Sequence, residues 1–258
     1  MRFCSLGSGS TGNATLVEAT GGLATSRVLI DCGFSLRELE SRLGRAGLDL
    51  DAIDAVFVTH EHGDHVGCAA TLARKHGIEV WMSRGTWRAI GEPDLDGRLR
   101  WARDGEAIAV GELSLVPYTV PHDAAEPLQL RCSDGARHLG VLTDAGSATP
   151  HLIEHLRDCD ALLLECNHDG AMLAASSYPA SLKARIGGRF GHLSNDTAAG
   201  ILAQCVHDGL RHLVAAHLSE QNNRPELARA ALAAACGALP REIVVADPLH
   251  GFDWLALG

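Results

Sequence analysis

Several features that mark common protein classes are scarce in this chain of 258 residues. Aromatic residues make up 4% of the sequence, and the eight cysteines include no C-x-x-C pair. Scattered cysteines in a chain of this size are typical of reduced, buried thiols in a cytosolic protein. No apolar run approaches the about 20 residues that span a bilayer, and no charged-then-apolar signal segment follows Met1. We therefore expect a cytoplasmic protein that does not associate with membranes.

Positive charge is also in short supply. The net charge is −10, which is unsuited to sequence-independent adhesion to a polyanion. Nucleic acid binding is disfavoured but not excluded, because bound cations and local basic patches matter more than the sum. One such patch contains Lys183, Arg185 and Arg189. The glycine-rich segment 7–13 lacks the Gly-Lys-Ser/Thr ending of a P-loop, and it is either a hairpin turn or a loop that lines a site.

Histidine, by contrast, is concentrated in one segment that follows an apolar run over residues 55–58. The apolar run predicts a buried strand. The segment after it reads Thr59-His60-Glu61-His62-Gly63-Asp64-His65. Packing gives no reason to collect three imidazoles and a carboxylate here, whereas zinc and similar metals prefer these ligands. The first two histidines can face one ion, while the carboxylate and the third histidine lie past the glycine turn and can face a second.

Other apolar runs end on side chains of the same kind. Predicted strands end at Asp31, Asp144 and His217, and a further strand exits at His122. Strand ends at one edge of a sheet converge on one place. The Asp31 carboxylate either caps its strand or orients a metal-bound histidine, and we favour the second role because the next strand delivers the histidines. Together the candidates suit two metals with Asp144 shared: His60, His62, Asp64, His65, His122, Asp144 and His217.

The rest of the chain alternates predicted strands with predicted helices. No linker or composition break is visible, so we expect one domain over residues 1–258. The predicted elements include a helix over 68–76 that ends at Gly77, a hairpin over 107–116, helices over 197–208 and 225–235, and a last strand over 241–246. Asp247, His250 and Asp253 are either residues of a polar loop or distal residues of the site, and we favour the loop.

The metal motif, with Asp31 before it and His122, Asp144 and His217 after it, resembles the motif order of the metallo-β-lactamase superfamily. Within that superfamily the chain resembles the bacterial YycJ (WalJ/VicX) family. The matching stretches are 6–13, 122–124, 165–169, 191–195 and 217–223. The resemblance implies an α/β fold, an αββα sandwich of two mixed sheets with helices on the outer faces. The same stretches supply candidates for contacts behind the metals or with substrate: Asn13, His168, Ser194 and Asn222.

The resemblance also implies an activity. Members of the YycJ family have been ascribed a 5′-to-3′ DNA exonuclease activity, and the segment around His192 is similar to ribonuclease Z, where the equivalent histidine serves phosphodiester cleavage. We therefore predict a hydrolase of phosphodiester bonds in nucleic acid, DNA rather than RNA, with two zinc ions, or manganese in their place. Asp64 and Asp144 would fix the attacking hydroxide. His192 would either donate a proton to the leaving oxygen or bind the phosphate.

Other classes remain open. A thioesterase or lactonase of the same fold would use the same metals on a carbonyl, although glyoxalase-type thioesterases carry a C-terminal helical region that we do not find. A β-lactamase would be expected to carry an export signal, and we see no such segment after Met1. A non-enzymatic regulatory module usually lacks a ligand, whereas the set here is complete.

Overall fold

Strands and helices alternate along the computed structural model, which describes residues 1–258 except for the side chain of Pro240. The strands are β1 (Arg2–Gly7), β2 (Ala14–Gly21), β3 (Ala24–Ile30), β4 (Ala55–Phe57), β5 (Glu79–Met82), β6 (Leu99–Trp101), β7 (Ile108–Val110), β8 (Leu113–Thr119), β9 (Leu128–Ser133), β10 (His138–Leu142), β11 (Ala161–Glu165), β12 (His212–Ala216), β13 (Val244–Val245) and β14 (Phe252–Ala256). The helices are α1 (Leu36–Arg45), α2 (Gly63–Val66), α3 (Ala69–His76), α4 (Arg84–Ala89), α5 (Pro150–Leu156), α6 (Gly170–Ala175), α7 (Ala180–Ile186), α8 (Asn195–Cys205) and α9 (Pro225–Cys236). Short 3₁₀ turns cover Leu50–Ala52 and Pro240–Glu242.

The strands form two seven-stranded sheets that share one plan. The first sheet has the order β14-β1-β2-β3-β4-β5-β6, and the second has the order β7-β8-β9-β10-β11-β12-β13. In each order the first three pairings are antiparallel and the last three are parallel. The fourth strands, β3 and β10, are therefore equivalent, and they lead into Asp31 and Asp144.

Apolar side chains pack in three layers. In the central layer, Phe57 of the first sheet meets Leu115 and Leu163 of the second sheet. Neighbouring side chains on the same strands face outward, Val56 toward α1 and α3 and Leu162 toward α5, α8 and α9. Strands covered on both faces are apolar at consecutive positions, which explains the runs that marked them in the sequence. The predicted αββα sandwich is confirmed.

Several local predictions are confirmed, and two are wrong. The hairpin over 107–116 is β7 and β8, and α3 ends at Gly77 in the left-handed conformation. The last strand was predicted over 241–246, but only Val244–Val245 is extended there. The final strand is β14, which pairs antiparallel with β1. It contains Asp253, so the interpretation of Asp253 as a loop residue is also wrong. The partner of β14 lies at the other end of the chain, so no local pattern could reveal the pairing.

Two predictions drawn from absences concern thiols and membranes. All eight cysteines are free, and every one except Cys236 is buried, which confirms the prediction of mostly buried cysteines. Among the described residues, no helix is both long and apolar enough to cross a membrane.

Candidate metal centre

The ends of five strands meet at one edge of the molecule, between the two sheets. They lead into Asp31, His60, Asp144, Glu165 and His217. Among the residues that the structure describes, six non-glycine residues have a positive φ, and three of them are here: Asp31 at 61°, Asp144 at 51° and His217 at 54°. Each such backbone conformation costs of order 1–3 kcal/mol of folding free energy. It therefore persists only where contacts with the surrounding structure enforce it. The clustering of strain at this edge indicates a functional site.

Three imidazoles surround the first candidate metal position. His60 Nε2 lies 3.0 Å and His122 Nε2 lies 3.3 Å from His62 Nδ1. Two of the remaining nitrogens are held from behind, since His60 Nδ1 lies 3.0 Å from Thr59 Oγ1 and His122 Nδ1 donates to the Gly191 carbonyl at 3.0 Å. Burial lowers the pKa of His122 and lowers that of His60 well below its usual value. Neutral imidazoles whose nitrogens converge are the ligands that a zinc-like ion requires.

Two carboxylates and two imidazoles surround a second position. His65 Nε2 lies 3.4 Å from Asp64 Oδ2 and 3.0 Å from Asp144 Oδ2, and His217 Nδ1 lies 3.4 Å from the same Asp144 oxygen. The other Asp144 oxygen is 3.9 Å from His122 Nε2, so this carboxylate lies between the two positions. Among the described residues, Asp144 Oδ2 and His217 Nδ1 find no hydrogen-bond partner although they are buried. Such atoms are costly, and a divalent cation would satisfy both, so the residues fit a pair of metal ions.

Two side chains support the second position from behind. His65 Nδ1 donates to Asp31 Oδ2 at 2.8 Å, and the Thr59 backbone N–H donates to Asp31 Oδ1 at 2.8 Å. The Asn13 side-chain amide donates to the Asp64 carbonyl at 3.2 Å. Because the Nδ1 proton of His65 is committed to Asp31, the lone pair on Nε2 faces the candidate ligands. Asp31 thus stands where a ligand-orienting carboxylate must stand.

A second carboxylate–histidine pair lies beside the candidate metal positions. The sequence did not lead us to its acidic member. Glu165 is fully buried, and its Oε1 accepts from His192 Nδ1 at 2.8 Å. Its Oε2 accepts from two backbone N–H groups at 2.9 and 3.1 Å. Burial opposes the charged imidazole of His192, but the carboxylates of Glu165 and Asp144 outweigh burial and raise its pKa to about 9. Glu165 ends a buried apolar strand, and this signal could have identified it.

The other predicted contacts lie farther from the metal positions. The Ser194 hydroxyl caps α8 by accepting from the Thr197 N–H at 3.1 Å. The Asn222 carbonyl accepts from the Asp169 N–H at 2.8 Å, and the His168 carbonyl accepts from Asn195 at 2.8 Å. Within the described chain, none of these three side chains is hydrogen-bonded to a candidate ligand. Their contacts fix the loops on which the centre is built.

A pocket of about 320 Å³ lies over the two metal positions. Its inner wall includes His62, Asp64, Asp144, His192 and His217, and its outer wall includes Asp123, Leu182, Arg185 and Ile186. Arg185 Nε donates to Asp123 Oδ2 at 2.6 Å, and the other Asp123 oxygen is 3.5 Å from His122 Nε2. A guanidinium at the mouth of a metal pocket suits an anionic substrate.

The chain is similar to known proteins in its sequence and in its fold. A model of the β-lactamase superfamily domain matches residues 26–217. The chain is 34% identical over 233 residues to exodeoxyribonuclease YycJ of Bacillus anthracis, covering 89% of this chain and 86% of that protein. It is 30% identical over 232 residues to exodeoxyribonuclease WalJ of Streptococcus pneumoniae, covering 88% and 85%. The solved metallo-β-lactamase fold protein YhfI of Bacillus subtilis superimposes with a TM-score of 0.76 at 17% identity, covering 98% of each chain.

Proposed function

The chain belongs to the metallo-β-lactamase superfamily, in the family of YycJ and WalJ, and from this premise we propose that it is a two-metal exonuclease acting on DNA. The observation that carries the proposal is the Glu165–His192 pair beside the metal positions, with His192 Nδ1 3.4 Å from Asp144 Oδ1. Phosphodiester hydrolysis expels a strongly basic alkoxide, which needs a proton. A thioesterase expels a thiolate whose conjugate acid has a pKa of about 8.5, so it has no such need.

Each metal position has its own set of ligands in this proposal. His60, His62 and His122 would hold one ion, and Asp64, His65 and His217 would hold the other, with Asp144 facing both. When bound, two divalent ions would supply Lewis-acid chemistry, polarising the scissile phosphate and activating a water molecule. The Asp64 carboxylate is 23% exposed on the pocket side, where it can accept a hydrogen bond from the attacking water and fix its direction.

His192 acts as the proton donor. Its Nδ1 proton is committed to Glu165, so the proton for the leaving oxygen must come from Nε2. The raised pKa of about 9 keeps the imidazole protonated at neutral pH. Cations near Asp144 would lower this value toward neutrality, where proton transfer is most effective.

The finer features of the proposal follow from chemistry and from the relatives. Zinc suits the imidazole-rich ligands, and manganese is the second choice because availability decides much of metal selection. DNA is preferred to RNA because YycJ and WalJ are named exodeoxyribonucleases. A cytoplasmic location suits a chain with eight free thiols.

The test uses end-labelled single- and double-stranded DNA and RNA of one sequence. We expect the metal-loaded protein to release nucleotides from the 5′ end of DNA, the Asp64→Ala variant to release none, and the exposed Asp51→Ala control to match wild type. Hydrolysis of thioesters or lactones without attack on any strand would contradict the proposal, and so would internal cleavage alone.

A further inference from the structure

Residues 170–190, which we name the arm, contribute little to the core. The arm contains α6 and α7; α7 buries no side chain, and α6 buries only Leu173. In the part of the chain that the structure describes, no arm residue belongs to the three apolar clusters. A helix of seven residues such as α7 has little stability of its own. Core packing therefore does not explain why the chain places this segment here.

The arm is fixed directly beside the metal pocket. The His192 N–H donates to the Ile186 carbonyl at 2.8 Å, at the end of α7. A Cβ added to Gly191 would lie 2.1 Å from the Arg185 carbonyl oxygen, so this close backbone contact requires glycine. These attachments hold α7 as the outer wall of the pocket.

The chemistry of the arm differs from that of the whole chain. It carries Lys183, Arg185 and Arg189 and no acidic residue, in a chain of net charge −10. Phe190 is 48% exposed, and the Arg189 guanidinium lies 5.0 Å from its ring centroid. Cationic side chains beside an exposed aromatic ring bind single strands, because the cations contact phosphates and the ring stacks on a base.

We propose that the arm binds the single-stranded nucleic acid next to the scissile phosphate, with Lys183 and Arg189 on phosphates and Phe190 stacked on a base. This inference rests on the proposed nuclease function. Arg185 lines the metal pocket and is paired with Asp123. The outer cations keep donors for the strand, because the Lys183 ammonium donates one hydrogen bond to the Ala174 carbonyl at 2.6 Å and retains two further donors, and the Arg189 guanidinium lies over the Phe190 ring. The pocket volume of about 320 Å³ is at the low end for ligand sites, which suits one strand end rather than a duplex.

The binding test needs no catalysis. Fluorescence anisotropy of labelled oligo(dT) is measured with the intact wild-type protein, Lys183→Ala/Arg189→Ala, Phe190→Ala, and the control Lys75→Ala/Arg98→Ala. The control pair is exposed and flanks β5 at its amino end, opposite the metal centre. We expect Kd to rise about tenfold in each arm variant. The salt slope of the double variant should fall by about 0.7 for each phosphate that the arm no longer neutralises.

Hydrolysis separates failure of this inference from failure of the nuclease proposal. We expect the double variant to raise KM for oligo(dT) about tenfold while hydrolysis of bis(p-nitrophenyl) phosphate, which is too small to reach the outer arm, stays within about twofold of wild type. Unchanged oligo(dT) binding in both arm variants overturns the arm inference, whether or not the small diester is hydrolysed. Inorganic polyphosphate that binds as tightly as oligo(dT), with no effect of Phe190→Ala, also overturns it, because the arm would then be a general polyanion site. Absence of hydrolysis of every diester by wild type overturns the nuclease proposal alone.

Discussion

Each sheet contributes a carboxylate–histidine pair with the same oxygen–nitrogen distance, but the surroundings of the two pairs differ. His65 Nδ1 is 2.8 Å from Asp31 Oδ2 in the first, and His192 Nδ1 is 2.8 Å from Glu165 Oε1 in the second. The His65 side chain is fully buried among candidate ligands, whereas the His192 side chain is 23% exposed and lines the pocket. In both pairs the carboxylate fixes the proton on Nδ1 of the histidine. The group that faces Nε2 then decides whether the histidine binds a metal or donates a proton. A buried Nε2 offers a lone pair to a metal, and an accessible one offers a proton to substrate.

Removing the buried histidine should have the largest effect. We expect His65→Ala to lose the metal of the second position and all measurable hydrolysis, because that position loses both a ligand and its link to Asp31. Metal per chain, measured by mass spectrometry of the intact holoprotein, checks this against His76→Ala, an exposed histidine at the end of α3. If His65→Ala retains two metals, His65 is not a metal ligand, and the distinction between the two pairs is wrong.

Removing the accessible histidine should separate chemistry from metal binding. We expect His192→Ala to keep both metals while kcat on DNA falls about 10²- to 10⁴-fold, the usual contribution of a general acid. Hydrolysis of bis(p-nitrophenyl) phosphate should fall far less, because nitrophenolate leaves without a proton. Equal losses on both substrates would instead assign His192 to phosphate binding.

The two carboxylates should differ in what they control. Asp31→Asn should weaken metal affinity about 10- to 100-fold, the usual effect of changing the partner of a ligating histidine. Glu165→Gln should leave metal affinity unchanged, because its histidine holds a proton rather than a metal. Titration with a competing chelator compares the two variants directly, and similar losses in both would remove the distinction between the pairs.

The pH dependence of kcat should report the pair in the second sheet. His192 must be protonated to act, so activity is present below its pKa and is lost as pH rises through it. The pKa of about 9 is the upper limit for the pH at which kcat falls on the alkaline side of the profile, because bound cations lower the pKa of His192 further. Glu165→Gln removes the carboxylate that raises the pKa, so the alkaline limb should move to lower pH by about one unit or more. A limb that stays in place would exclude His192 as the titrating group.

The smallest effect should come from the support of Asp31. Thr59 Oγ1 lies 3.0 Å from each Asp31 oxygen, and Thr59→Val removes this hydroxyl from a buried carboxylate. We expect the free energy of unfolding to fall by about 1–2 kcal/mol in urea denaturation. Thr20→Val, at an exposed hydroxyl pair, is the matched control and should change it little. Equal changes in both variants would show that Thr59 adds nothing specific.

How far the sequence predicts this site depends on the distance over which each contact acts. One short segment contains His60, His62, Asp64 and His65, so the density of these residues alone predicts a metal site. Glu165 ended its strand as plainly as Asp31 did, yet its role depends on His192, 27 positions later. Carboxylates at strand ends identify candidates, but the partner of each one is set by which strands become neighbours.

The sequence by itself determined the ligand types, their order, and the apolar strands that deliver them, because these are local patterns of composition and period. Only the tertiary structure decided which groups meet: the pairing of β14 with β1, the joining of Glu165 to His192, the place of Asp144 between two candidate metal positions, and the arm over the pocket. Those contacts join residues far apart in the chain, and the packing of two sheets selects them, so they leave no local signal in the sequence.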